Sequence, residues 1–334
     1  MNGKPKIAII GTGGTITSLS ADGPLDMVEY TATGRMMEAD ELADFFPQVR
    51  EVADVVPVRF RAVPSTSIAY ADWKAMVIAA DQVVSQHPEL AGIVVLHGTA
   101  TLEETAYALN LTAKVQVPIV IVGSQRPASA VSSDAGLNLI NAVRTAASPA
   151  ARGMGVLVCL NDEIQAAREV TKTSTTRLQT FRTPDFGILG QADGDSINFY
   201  RRPLRRCAPD TEFDIRSLDE LPRVDIAYSF AGDDGAAVRA FVGAGARGIV
   251  VAAFPGGILS PQQTVACEEA VAAGVTVVLS TRAGSGRAMV NSTLRGKGFI
   301  PADNLNPQKA RILLALGLVN TRDPAEIARM FATY

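Results

Sequence analysis

The stretch Lys6-Ile7-Ala8-Ile9-Ile10-Gly11-Thr12-Gly13-Gly14-Thr15-Ile16 constrains this chain more than any other. A continuous Ile/Ala run of that length reads as a strand buried on both faces, as in the middle of a parallel sheet. It runs directly into a glycine-rich turn, and ligands collect where such strands end. Gly11, Gly13 and Gly14 allow positive φ and close backbone approach, leaving the hydroxyls of Thr12 and Thr15 at the exposed end of the strand. A dinucleotide site needs a third glycine at position 16 and, about 20 residues on, an acidic residue after a second strand. Ile16 and the polar stretch from Asp22 to Glu38 supply neither. A phosphate loop fails too, because Gly-Lys followed by Ser or Thr occurs nowhere. The reading left is a catalytic turn presenting a threonine nucleophile.

The chain is long enough for two domains, and 47% apolar residues, 19% charged residues and a net charge of −3 describe an ordinary soluble protein. The arginines are scattered except for Arg201, Arg202, Arg205 and Arg206, so no nucleic-acid partner is expected. Cys159, Cys207 and Cys267 are far apart and odd in number, which disfavours a disulfide framework or a zinc knuckle and fits a reducing compartment. No apolar leader precedes Ile7 and no run reaches roughly 18 apolar residues, so the expectation is a cytoplasmic protein with no membrane partner.

Residues 18 to 36 are polar and irregular around Tyr30, and a long loop just after a catalytic turn suggests a lid. Helical patterns follow over 39–46, 71–86, 103–113 and 134–147; strand patterns cover 55–63, 92–96, 119–122 and 155–160. This alternation predicts a parallel sheet flanked by helices on both faces. Regularity is expected to stop at Asn161-Asp162-Glu163, where a threonine-rich segment begins. Three prolines among charges mark 201–223 as a linker, and three further strands with intervening helices make 224–334 a smaller α/β domain after a larger one over 1–200.

Thr15, Ser65 and Thr99 stand at strand ends of the first domain, and Lys172 lies in the irregular segment; in a parallel sheet these groups can converge on one edge. A threonine hydroxyl becomes a nucleophile when a base takes its proton, and a desolvated lysine can serve. Glycine-turn amides can stabilise the oxyanion. His97, Asp162, Glu163 and Trp73 read as structural.

The stretches Gly11-Thr12-Gly13-Gly14-Thr15-Ile16, His97-Gly98-Thr99-Ala100-Thr101-Leu102-Glu103-Glu104, Val122-Gly123-Ser124-Gln125-Arg126-Pro127 and Val170-Thr171-Lys172-Thr173 together resemble the bacterial type I/II L-asparaginase/glutaminase family, over essentially the whole chain. The resemblance implies an asparaginase-like α/β fold, larger N-terminal and smaller C-terminal domains, and amide hydrolysis with no metal or cofactor. It also implies a homotetramer, a dimer of close dimers whose sites are completed by a neighbouring subunit. By the same resemblance Thr15 is the nucleophile, Tyr30 the lid tyrosine assisting it, and Thr99 and Lys172 the remaining catalytic groups. Ser65 holds the substrate carboxylate, and Thr66, Gly98 and Ala100 are further substrate-binding positions.

The departures from that family pattern share a direction. Ala100 stands where the motif has an aspartate that contacts the substrate's α-ammonium, and Thr66 where it has a glutamine. No acidic residue lies between Arg282 and Phe299, where a neighbouring subunit's glutamate is expected, and the asparagine it also offers falls near Ile258. The expectation is a small carboxylate-bearing amide that lacks or masks the α-ammonium, with L-asparagine as the runner-up and a catalytically silent binding protein as the alternative of another class. Arg287 has no counterpart and could contact a different polar group.

Overall fold

The computed structural model describes residues 3 to 334. The chain forms two compact units, the first up to Arg216 and the second from Ser217 to Tyr334. In the first, β1 (Lys6–Gly11) ends at the glycine turn. The loop expected to be irregular contains a two-stranded clamp, β2 (Ser18–Leu19) paired with β3 (Arg35–Met36), and one helical turn, α1 (Tyr30–Thr33). Main-chain pairing at the base of the loop carried no side-chain signature, so sequence patterning missed it.

Helices α2 (Ala39–Phe45) and α3 (Val49–Val52) lead to β4 (Asp54–Arg59). Then come α4 (Tyr70–Gln86), β5 (Leu90–Leu96), α5 (Leu102–Thr112), β6 (Ile119–Val122), α6 (Ala135–Ala147) and β7 (Val156–Leu160). Strands β4, β1, β5, β6 and β7 are neighbours in that order and pair in parallel. The central residues of β1, β5, β6 and β7 are apolar because both faces are covered, whereas β4, at the sheet edge, has no fully buried residue. On one face Ile7, Ile9, Val94, Leu96 and Val120 pack with Leu42 of α2, Val49 of α3 and Leu139 and Val143 of α6. On the other, α5 lies against β6 and β7 and α4 packs on α5.

The crossovers therefore do not share one hand. From β4 through α4 to β5, and from β5 through α5 to β6, the chain moves one way along the sheet over one face; from β6 through α6 to β7 it continues that way over the other face. Right-handed crossovers are the rule in about 98% of cases, so the α6 connection is the left-handed exception.

The expectation that regular structure stops at Asn161 is overturned. Asn161 and Asp162 adopt φ of 50° and 64°, residue types that tolerate the left-handed region, and form a tight turn into β8 (Glu163–Ala166), which pairs antiparallel with β7. Beyond it β9 (Thr171–Lys172) pairs with β10 (Phe181–Arg182), and β11 (Gly190–Ala192) and β12 (Ile197–Phe199) extend the sheet antiparallel. The eight-stranded sheet is thus parallel at its centre with an antiparallel edge. Strands of two to four residues are too short for a period to be read. The proline-rich stretch packs back on the first unit: Ala208 N–H donates to the Asn110 carbonyl, and Phe213 and Ile215 are buried.

The second unit is a parallel four-stranded sheet in chain order, β13 (Val224–Tyr228), β14 (Gly248–Ala253), β15 (Thr276–Thr281) and β16 (Ile300–Pro301). Helices α7 (Ala236–Gly243) and α8 (Pro261–Ala272) share a cluster with Ile249, Val251 and Val277. A short α9 (Ser292–Gly296) precedes β16, and α10 (Pro307–Asn320) and α11 (Pro324–Thr333) close the chain. Helix α10 presses close on β14, where a Cβ on Gly248 would stand 2.7 Å from Leu314 Cδ2.

Candidate active site

The loops that leave β1, β4 and β5 meet almost without side chains between them. Thr12 ties them together: its N–H and hydroxyl both donate to the Leu96 carbonyl, at 3.2 and 2.6 Å, and its own carbonyl accepts from Val63 N–H. Gly13 and Gly14 adopt φ of 92° and 88°, and a Cβ on Gly14 would meet Gly98 Cα at 2.2 Å. Gly98 in turn lies under Ser65, whose Oγ would stand 2.7 Å from a Cβ there. Only glycines permit this stacking, and it brings Thr15, Ser65 and Thr99 to one hollow.

That hollow has a volume of about 390 Å³ and is lined by Thr15, Tyr30, Ser65, Thr66, Gly98, Thr99 and Ala100, with Gly14, Ser18, Thr31, Met36 and Pro64 completing the wall. No lining side chain is charged. Thr15 is half-buried, and its Oγ1 lies 3.1 Å from the Tyr30 hydroxyl, so the first residue of α1 is hydrogen-bonded over the turn. Ser65 is nearly buried, and its carbonyl accepts from the Thr101 hydroxyl at 2.7 Å.

Lys172 reaches the group from β9. Its Nζ donates to Thr99 Oγ1 at 2.7 Å and to Gln125 Oε1 at 3.2 Å, and the Thr99 hydroxyl also donates to Gln125 Oε1, at 3.1 Å. Burial pushes the Lys172 ammonium below the ordinary lysine range, and the buried Glu103 carboxylate partly opposes that. Glu103 also accepts from Lys172 main-chain N–H at 3.4 Å. Thr15, Tyr30, Ser65, Thr66, Gly98, Thr99 and Ala100 therefore line the hollow, and Lys172 lies directly behind Thr99. Gln125 belongs to a stretch that carries the family resemblance, but its residue type alone signals no role; Met36 and Pro64 carry no signal, since loop pairing places them.

His97 is fully buried, its Nδ1 lies 2.8 Å from the Gly98 carbonyl, and burial lowers its pKa to about 4. Trp73 is buried and donates to the Thr105 hydroxyl at 3.0 Å. Arg287 lies in the second unit, exposed, with Nε 3.3 Å from Asp303 Oδ1. Among the described residues no group of three His, Cys, Asp or Glu could hold a metal ion, and no helix is long and apolar enough to cross a membrane.

Hydroxyls at a glycine turn with a depressed lysine behind them make a site suited to acyl transfer. The family model for the N-terminal asparaginase domain matches residues 6–205, and that for the glutaminase/asparaginase C-terminal domain matches 223–331. The chain is 42% identical over 332 residues to L-asparaginase 2 of Bacillus subtilis (strain 168), covering 99% of this chain and 87% of that protein. It is 36% identical to L-asparaginase 2 of Escherichia coli (strain K12), covering 99% and 93%. Among solved structures it matches a probable cytoplasmic L-asparaginase from Campylobacter jejuni with a TM-score of 0.91 and 36% identity, covering 99% of this chain and all of that one. The chain belongs to the asparaginase family and is a hydrolase of carbon–nitrogen amide bonds.

Proposed function

We propose that this enzyme hydrolyses a small carboxylate-bearing amide through an acyl-enzyme on Thr15, and that its substrate lacks or masks the α-ammonium group. Thr15 Oγ attacks the amide carbonyl carbon, its proton passing toward the Tyr30 hydroxyl 3.1 Å away. The tetrahedral intermediate collapses, the C–N bond breaks, and ammonia or an amine leaves with a proton. Water then attacks the ester and restores the hydroxyl. Thr99 and Lys172 move protons as the intermediate forms and collapses, and burial, which lowers the Lys172 pKa, favours the deprotonated form that a base needs. Ser65 holds the substrate carboxylate, beside Gly98 and Thr66.

The single observation that carries this reading is the hollow itself, which gathers Thr15, Ser65 and Thr99 yet holds no charged side chain. Ammonium binding in a closed site needs a carboxylate or several acceptors, and their loss costs about 2 to 5 kcal/mol. Ala100 and Thr66 offer neither charge nor length. Activity as a homotetramer of close dimers, with each site completed by a neighbouring subunit, belongs to the same proposal. A neighbour's segment from Arg282 to Phe299 brings no carboxylate either. A cytoplasmic setting is supported by three unpaired cysteines. L-Asparagine is the second reading, favoured by the names of the relatives.

Ammonia release from a panel of amides tests the proposal: L-asparagine, its des-amino analogue succinamate, and N-acyl asparagine. Preferential turnover of the last two is expected. Ordinary asparaginase efficiency on free asparagine overturns the altered substrate and leaves the hydrolase.

A further inference from the structure

Three side chains beside the hollow form a closed hydrogen-bonded ring: Lys172, Thr99 and Gln125. Gln125 is the member whose orientation is fixed from outside. Its Nε2 donates to the Arg177 carbonyl at 3.0 Å, and its main-chain N–H donates to Asp134 Oδ2 at 3.0 Å, at the start of α6. The Arg177 carbonyl can only accept and an ammonium can only donate, so exchanging Oε1 and Nε2 would oppose like groups at both ends. Gln125 therefore offers one neutral oxygen at the point where lysine and hydroxyl converge.

We propose that Gln125 is a positioning residue of the reaction, aiming Lys172 at the Thr99 hydroxyl through its amide oxygen while placing no negative charge beside the ammonium. This rests on the reading of Thr15, Thr99 and Lys172 as the reacting group. The consequence lies in proton affinity. A carboxylate in contact with Lys172 would favour the charged form and hold the base protonated to higher pH; an amide oxygen orients without that penalty.

The charged groups on elements around Lys172 include Arg168 and Glu169 just before β9, Arg177 between β9 and β10, Arg182 on β10, Glu103 and Glu104 on α5, and Asp134 before α6. Of these, Glu103 acts on the ammonium, and it does so from the lysine's main-chain side. Gln125 instead touches Nζ, so substitutions there address the proton directly.

The test is the pH dependence of kcat/KM for the best amide of the panel, with Gln125→Glu and Gln125→Met beside the parent enzyme. Gln125→Glu is expected to move the acidic limb upward by at least about one pH unit and to recover activity above it. Gln125→Met, which cannot accept, is expected to lower kcat about tenfold or more with KM little changed. An unmoved limb in Gln125→Glu, or an unchanged kcat in Gln125→Met, overturns the inference. Titration of the Lys172 side chain by NMR in the labelled protein supplies the same answer should either variant be inactive. Thr15→Ala separates the two levels: if it remains active, the reacting group is misassigned, whereas if it is dead and the limb does not move, Gln125 alone is.

Discussion

Gly14 and Gly98 meet backbone to backbone, so closely that a methyl group on Gly14 would stand 2.2 Å from Gly98 Cα. This contact joins the turn after β1 to the turn after β5 and sets the separation of Thr15 from Thr99. Gly14→Ala adds both an overlap and a left-handed strain at φ 88°. A loss of about 2 to 4 kcal/mol in urea unfolding is expected, with activity lost beyond the fraction unfolded. Gly187→Ala, also at positive φ but with nothing within 4 Å of its Cβ, should lose only the strain component.

Thr15→Ala should lower kcat by at least about a thousandfold while the circular dichroism spectrum stays unchanged. Tyr30→Phe removes only the hydroxyl 3.1 Å from Thr15 Oγ1, and a smaller loss in kcat, on the order of 10- to 100-fold, is expected. Steady-state kinetics on purified variants checks both.

His97 is held neutral by burial, with its pKa lowered to about 4 from 6.5. In that window the unfolded chain binds the proton and the folded one does not, so stability falls as pH drops from about 6.5 toward 4, by up to about 3 kcal/mol. Urea denaturation at pH 7 and pH 5 should show a pH dependence that His97→Asn flattens. Lys172 shows the same sign at the other end of the scale. Because burial lowers its pKa, the unfolded chain holds the proton to higher pH than the folded one. This group's contribution to stability therefore rises with pH between its lowered value and the ordinary lysine range, and Lys172→Met removes the rise.

Much of this arrangement was legible in the chain before any coordinates. The Ile/Ala run of β1, the glycines after it and the strand end before Thr99 each have a period or a residue type that forces them, whereas the strand expected over 55–63 stops at Arg59 and Ser65 stands in a helical turn beyond it. The pairing of Ser18 with Met36 and the turn at Asn161 and Asp162 were not legible, because two- to four-residue strands have no period and their partners are remote in sequence. Gln125 escaped for a related reason. An amide side chain at a strand end is ordinary, and only the arrival of β9 with Lys172 beside it gives its oxygen two donors. The buried Glu103 stands in the first turn of α5, and its second relation, to the Lys172 main chain, is likewise tertiary.

Ala100→Asp places a carboxylate on the wall of the hollow. The variant should gain on substrates that carry an α-ammonium: about 2 kcal/mol, or some 30-fold in kcat/KM for L-asparagine, with no gain for succinamate. An equal loss on both substrates would mean that the new carboxylate acts on Lys172, holding it protonated, and not on the substrate.

The central claim is that a threonine nucleophile works in a hollow with no receptor for an ammonium group. The most direct measurement is kcat/KM for succinamate against L-asparagine, two amides that differ only at the α-amino group, on the unmodified enzyme at one pH. The expected result is a preference for succinamate of at least about tenfold, corresponding to 1.4 kcal/mol or more. A preference for L-asparagine of the same size would contradict it.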